Sequence, residues 1–410
     1  MAELRTLSIN ELQVGMFVKD IILKNSDHKV KNQGIVNSER TIALLKKQGV
    51  DKVVVQLQPE QLALLDQQDQ ADQQNKNNLA ISVEENEAQE STEHQPDLPL
   101  DDELAQAYAL YDKASEQIQS LFLQARNRQK ISTDGVEKLA LAIMQSVIKN
   151  EYAITILTRI RHHSSYQWEH AANCAILMCG FALFLDLKHK IVHQITIAAL
   201  IHDIGNAKIP EGIISKPGLL STHEVIAVEK HVMHGVDICQ QKALLNPIIK
   251  DIILNHHERL DGSGYPRRVS EDKLSKLARA MAIVDVYDAI TGEQTYKKAQ
   301  QPIDAFRYLI TNKNKFDPSI VQQFIKYLGV HPVGSVIQLS NERLAMVMVG
   351  NRAEPLKPKI KVFFNLDTMQ HIKPRDIDLS IEDLSIVRAV NTEDFDINTS
   401  KLIKDFVNAT

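Results

Sequence analysis

The chain has 410 residues, is 44% apolar and 24% charged, and carries a net charge of −5. These are ordinary values for a globular protein with room for two or three domains and a large core. No Lys/Arg-rich run is interleaved with aromatics, which argues against a nucleic-acid-binding surface, and the longest apolar run, Ala175 to Leu185, is too short to span a bilayer. Cys174, Cys179 and Cys239 form neither a CxxC pair nor a disulfide framework, and Arg5, Asn10 and Glu11 interrupt any secretory leader, so a cytoplasmic location is expected.

Residues 1–65 read as a small α/β domain, regulatory or structural in role. Val14-Gly15-Met16-Phe17-Val18 is an apolar run with a glycine break, Thr41 to Gln48 has helical spacing, and Asp51-Lys52-Val53-Val54-Val55 reads as a strand. Between residues 66 and 104 twelve Asp/Glu face one lysine, leaving the rest of the chain about +6. Residues 66–101 lack apolar anchors and read as an acidic flexible linker.

Helical periodicity holds from residue 102 to 330. His170 shares a face with Cys174, Leu177 and Met178, and the stripe Ile191, Ile195, Ala198, Ala199 delivers His202 beside Asp203, with Gly205 as a helix stop. Ser221 and Glu224 form a capping box for a helix through Val225, Val228 and His231; Asn246-Pro247 opens another through Ile249, Ile252 and Ile253 to His256. A further helix runs through Ala278, Met281 and Ala282 to Asp285 within Met281-Ala-Ile-Val-Asp-Val-Tyr-Asp288. Beyond Leu328, within residues 331–410, short β-like runs follow: Val336 to Leu339, Met346 to Val349 and Ile360 to Phe364.

The joint pattern carries the chemistry. Five helices bring His170, His202, Asp203, His231, His256, His257 and Asp285 to the interior, and such groups cannot lie buried and unpaired without a large desolvation cost. A pair of metal ions bridged by a carboxylate resolves this. Without a thiolate among the ligands, iron or manganese, with nickel as a further candidate, fits better than structural zinc.

His202-Asp203-Ile204-Gly205, Ile213-Ile214-Ser215-Lys216-Pro217-Gly218, His231 with Gly235, the block His256-His257-Glu258-Arg259-Leu260-Asp261-Gly262-Ser263-Gly264-Tyr265-Pro266 and Asp285-Val-Tyr-Asp-Ala-Ile together resemble the bacterial HD-GYP domain, a branch of the HD phosphohydrolase superfamily. The resemblance covers about residues 140–330. Leu12-Gln13-Val14-Gly15-Met16 resembles the uncharacterised domain often found ahead of HD-GYP in proteobacterial proteins. The resemblance implies a mainly α fold, an HD-type helical bundle with the small N-terminal α/β domain and a C-terminal β appendage. It implies metal-dependent hydrolysis of cyclic di-GMP by a metal-bridging hydroxide in second-messenger signalling, to pGpG, with GMP as an alternative end product. The seven residues above are then its two-metal ligands, with His202 and Asp203 at the catalytic centre, and diguanylate cyclase (GGDEF) proteins and a second copy of the chain are the partners implied.

The family's lysine after His-Asp-Ile-Gly is here Asn206, and its Asp-Arg-Pro-Tyr segment is Glu293-Gln294-Thr295-Tyr296. Asn206 therefore takes the catalytic lysine's place with less charge, and Gln294 that of a phosphate-binding arginine. Lys208 and Lys297 remain as candidate phosphate contacts, and Arg259, Asp261, Gly264, Tyr265 and Pro266 as further substrate-binding candidates. Tyr166 stands where some relatives carry a third-metal glutamate, which argues for two metals. Two other readings stay open: a cyclic di-GMP receptor with weak catalysis, and an HD phosphohydrolase acting on another nucleotide.

Overall fold

The computed structural model describes residues 3–9, 12, 16–23, 29–36, 42, 45, 50–57, 100–129, 131–160, 166–216, 218–242, 244–292 and 299–408. They fall into two compact units, Met1–Thr92 and Glu93–Thr410. The acidic stretch expected as a linker lies outside the described residues except for its last two, which open a helix.

The first unit is an antiparallel sheet of β1 (Glu3–Ser8), β2 (Phe17–Leu23), β3 (Lys29–Ile35) and β4 (Val50–Leu57), in the order β1-β4-β2-β3. The valine run expected as a strand is β4, central in the sheet, with Val53 and Val55 fully buried. Ile42 and Leu45, the described residues of the expected helix, are helical and pack on Ile9, Leu12, Met16 and Val18.

In the second unit α1 (Leu100–Arg126) and α2 (Thr133–Lys149) flank α3 (Tyr166–Phe184) and α4 (His189–Ile201). From Glu169 to Ala182 every residue of α3 is buried, because α1, α2, α4 and a later helix surround it. A tight 3₁₀ segment, Ile204–Lys208, leads to α5 (Thr222–Glu229), α6 (His231–Gln241), α7 (Pro247–Asn255) and α8 (Lys276–Thr291), then α9 (Pro302–Thr311) and α10 (Pro318–Leu328). The caps follow the local chemistry. Ser221 and Glu224 form the full capping box of α5, and Asn246 accepts the Ile249 N–H ahead of Pro247 at the first turn of α7.

Two expectations change. The helix from Ser221 does not carry His231; it ends at Glu229, and His231 begins α6. Gly205 is no helix stop, since α4 ends at Ile201. It is glycine because the 3₁₀ segment lies directly on α6, where a Cβ would meet His231 O at 1.8 Å and Gly235 N at 2.5 Å.

The C-terminal sheet has β5 (Val336–Leu339), β6 (Arg343–Val349), β7 (Lys359–Asn365), β8 (Gln370–Asp378) and β9 (Ile386–Ala389), antiparallel in the order β8-β7-β6-β5-β9. A final helix, α11 (Thr399–Asn408), buries Leu402, Ile403 and Phe406. This region shares one continuous apolar core with the helices. Arg352 grips Glu151 through contacts of 2.6 and 2.8 Å and lies 5.1 Å from the Phe184 ring centre, and Tyr152 donates to the Gly350 carbonyl.

Gly205→Ala forces backbone apart and should cost about 1–3 kcal/mol or more, as overpacking does. The melting temperature should fall by at least several degrees in calorimetry, whereas Gly212→Ala, with open space at its Cβ, should leave it unchanged.

Candidate metal centre

Three helix ends and two helix interiors deliver the side chains. His202 caps the C-terminus of α4, with Asp203 next to it; His231 is the first residue of α6; His256 caps α7, followed by His257; Asp285 projects from the middle of α8. His170 comes from the second turn of α3. The structure brings all seven together. His202 and His256 are completely buried, and His170, His231 and Asp285 nearly so.

The far side of each ring fixes its tautomer. Nδ1 of His202 donates to the Ala199 carbonyl (2.8 Å), that of His231 to Val228 (2.7 Å) and that of His256 to Ile253 (2.8 Å). All three carbonyls lie in the last turn of a helix, where the i→i−4 ladder runs out. One bond therefore caps a helix and turns the Nε2 lone pair inward.

Inside, acceptors confront acceptors. His231 Nε2 lies 3.1 Å from Asp203 Oδ1 and 3.5 Å from His256 Nε2; His202 Nε2 is 3.7 Å from Asp203 Oδ2 and 3.9 Å from Asp285 Oδ1. Among the described residues, His202 Nε2 and Asp203 Oδ1 are buried without a hydrogen-bond partner. Converging lone pairs with no proton between them are what cations satisfy, so the residues fit a metal site. Two groups stand out, His170, His202 and Asp285, and Asp203, His231, His256 and His257, with the candidate ligand atoms of each within 4.8 Å of one another. Asp203 faces both groups through its two oxygens.

The electrostatics suit cation binding. Burial pushes the His202 imidazole down to about 4, and burial together with His256 holds His257 well below its ordinary value, so both rings are neutral donors. Burial acts to raise the two carboxylates but is outweighed: Asp203 is held low mainly by His202 and His231, Asp285 by His170 and His257. Cys174 lies 3.8 Å from the His170 ring nitrogens, and burial pushes its thiol up to about 12, which keeps it a neutral neighbour.

The Gly-rich turn is held by a residue absent from the candidate set. Glu258 is 2% exposed, and its carboxylate accepts the backbone N–H groups of Arg267, Arg268 and Val269 at 2.7, 3.1 and 3.2 Å. Gly264 lies so close to the His257–Arg259 backbone that a Cβ would sit 2.4 Å from His257 O. Tyr265, joined to Pro266 by a cis peptide bond, tilts over His257 with ring centres 4.7 Å apart, and burial pushes its hydroxyl pKa up. The Arg259 guanidinium is engaged by the His256 and Glu258 carbonyls and the Phe316 ring. Asp261 is exposed and accepts from Ser263 and Asn314. Asn206 is half-buried on the 3₁₀ segment, and Lys208 at its end is exposed. Gln294 and Lys297 lie outside the described residues.

Asp288 was also missed. Its Oδ2 lies 2.8 Å from His170 Nδ1, and its spacing from Asp285 was the available signal, since residues three apart share a helix face.

Comparison with known proteins agrees with the geometry. Residues 159–320 match the HD domain family, residues 4–136 a domain of unknown function (DUF3391), and residues 336–398 a KOW domain associated with HD domains. The chain is 29% identical over 383 residues to the cyclic di-GMP phosphodiesterase PA4108 of Pseudomonas aeruginosa, covering 92% of this chain and 89% of that one. It is 29% identical to a 3'3'-cGAMP-specific phosphodiesterase of Vibrio cholerae over 47% of this chain and 37% of that one. Among solved structures, an HDG"Y"P protein from Bdellovibrio bacteriovorus aligns with a TM-score of 0.46 and 15% identity, covering 78% of this chain and 98% of that one. With the His-Asp pair, the His-His pair and the Gly-Tyr-Pro turn all standing around one buried centre, residues 159–320 carry an HD domain of the HD-GYP pattern.

Proposed function

We propose that this chain hydrolyses cyclic di-GMP to pGpG in a metal-dependent reaction. The observation that carries the proposal is the pair of inward-facing ligand groups joined by Asp203, in a chain similar along 92% of its length to a named cyclic di-GMP phosphodiesterase. Divalent ions there, with iron or manganese ahead of nickel, supply Lewis acidity toward phosphoryl oxygens and water. The remaining contributions come from the chain. The buried histidines exclude bulk water from one side of the centre, and Glu258 fixes the turn that sets Tyr265 over His257. Tyr265 offers a hydroxyl that remains protonated, a donor for a phosphate oxygen. Asn206, three residues beyond Asp203, would offer a neutral amide to the same charge. We keep the cytoplasm as the compartment, since all three cysteines are buried free thiols.

Protein loaded with iron, manganese or nickel should convert cyclic di-GMP to pGpG, resolved by chromatography; no turnover with any of the three metals overturns the proposal. A panel including 3'3'-cGAMP distinguishes the two substrate classes named among the relatives. His256→Ala and Asp203→Ala should bring turnover below detection and lower bound metal, measured by elemental analysis, while helical circular dichroism persists.

Asn206→Lys restores a cation near the phosphate. Hydrogen bonds to charged groups contribute roughly 1.5–3 kcal/mol, and about 1.4 kcal/mol corresponds to tenfold in rate. If the charge acts in the transition state, kcat should rise roughly ten- to a hundredfold. If it acts equally on bound substrate, KM falls and kcat stays constant. No change in either parameter means that another cation already fills the role.

A further inference from the structure

The four buried ligand imidazoles are not oriented alike. His202, His231 and His256 each donate Nδ1–H to a carbonyl in the last turn of a helix. Those carbonyls are accessible to a side chain because the i→i−4 ladder runs out at a helix end. His170 sits inside α3, five residues from its start, where the helix continues and the carbonyls behind it belong to the hydrogen-bond ladder. It needs an acceptor from another element. Asp288 of α8 supplies one, with Oδ2 2.8 Å from Nδ1, at 1% exposure. On the other side of the ring Nε2 faces Asp285 Oδ1 at 3.1 Å.

One helix thus brings two carboxylates to opposite edges of a single imidazole. Asp285 and Asp288 are three residues apart and share a face of α8, while Val286 and Tyr287 between them turn toward the apolar core. The two acids have different duties. Asp285 also approaches His202 and His257, at 3.9 and 3.5 Å, and so belongs with the ligands. Asp288 holds the outer nitrogen. With Nδ1–H engaged by Asp288, the Nε2 lone pair points at the candidate metal position beside Asp285. A carboxylate in this place also makes the imidazole a stronger donor than a carbonyl does, because it carries a full negative charge.

We propose that Asp288 is a positioning residue that fixes the tautomer of His170 and strengthens metal binding by the His170–His202–Asp285 group selectively over the Asp203–His231–His256–His257 group. The proposal rests on the metal-centre reading of this site. Its consequence is an asymmetric pair of sites: in one, His231 and His256 are held by helix carbonyls, while the other has the Asp288 carboxylate behind the outer nitrogen of His170.

The test is calorimetric titration of metal-free protein with Mn²⁺, run on the wild type, Asp288→Asn and Asp288→Ala, with helical circular dichroism as the check on folding. Removing such an outer partner costs about 10- to 100-fold in metal affinity. Asp288→Ala should therefore weaken one class of Mn²⁺ site by about that factor while the other stays within about threefold. Asp288→Asn keeps the shape and an amide oxygen that can accept Nδ1–H, and should fall between the two. Its readout stands even where the alanine variant fails to fold. Two unchanged sites in Asp288→Asn and Asp288→Ala, or equal weakening of both sites in Asp288→Asn, overturn the assignment of Asp288 and leave the metal centre intact. A wild type that takes up no Mn²⁺, Fe²⁺ or Ni²⁺ overturns the metal-centre reading itself.

Discussion

Everything around this centre depends on one electrostatic constraint: lone pairs of buried imidazoles and carboxylates point at each other with too few protons to go between them. A protein interior tolerates that arrangement poorly, since unpaired buried polar groups cost several kcal/mol in aggregate. The helices answer it by ending where the ligands are. Ala199, Val228 and Ile253 lie in the last turns of α4, α5 and α7, where the ladder runs out, and the carbonyl of each accepts a histidine Nδ1–H. The hydrogen bond that completes the helix is the one that aims the ring. Ligand geometry and helix termination are therefore a single feature of the sequence, and shifting a helix end by one residue would disturb both.

The Gly-Tyr-Pro turn illustrates a second division of labour. Its fixed shape comes from backbone and from Glu258, whose carboxylate ties down three successive N–H groups. Arg259 serves the same framework, with its guanidinium on two carbonyls and over Phe316. Tyr265 is then placed against His257, its own N–H donating to the His257 carbonyl at 3.3 Å. Charged residues in a conspicuous motif are easily read as ligand-binding, yet here two of them stabilise the surface on which binding groups stand.

What could be read from the sequence was whatever depends on local pattern. The stripes Ile191 to Ala199 and Ile249 to Ile253 located helices whose ends are His202 and His256, and the Ser221/Glu224 and Asn246-Pro247 signals marked real helix starts. What escaped depends on partners far along the chain. Gly205 looks like a helix stop until α6 is found pressed against it, and Asp288 shows its partner only when His170 arrives from 118 residues away. Strand β8 was missed because six of its nine residues are exposed, so it shows no apolar alternation. Strand β9 is only four residues long, and α11 offers just three buried positions, Leu402, Ile403 and Phe406.

The grip of Arg352 on Glu151 and Phe184, and the apolar core that runs unbroken from α3 into β6 and β7, bear on how such a chain can be inherited. A recombination event that carried off the helices alone would strip cover from Phe184 and Tyr152 and leave Val347, Ile360 and Phe363 behind as a greasy remnant. Shuffling would succeed only with the terminal sheet in tow, so the helices and the last eighty or so residues are expected to travel between genomes as one cassette.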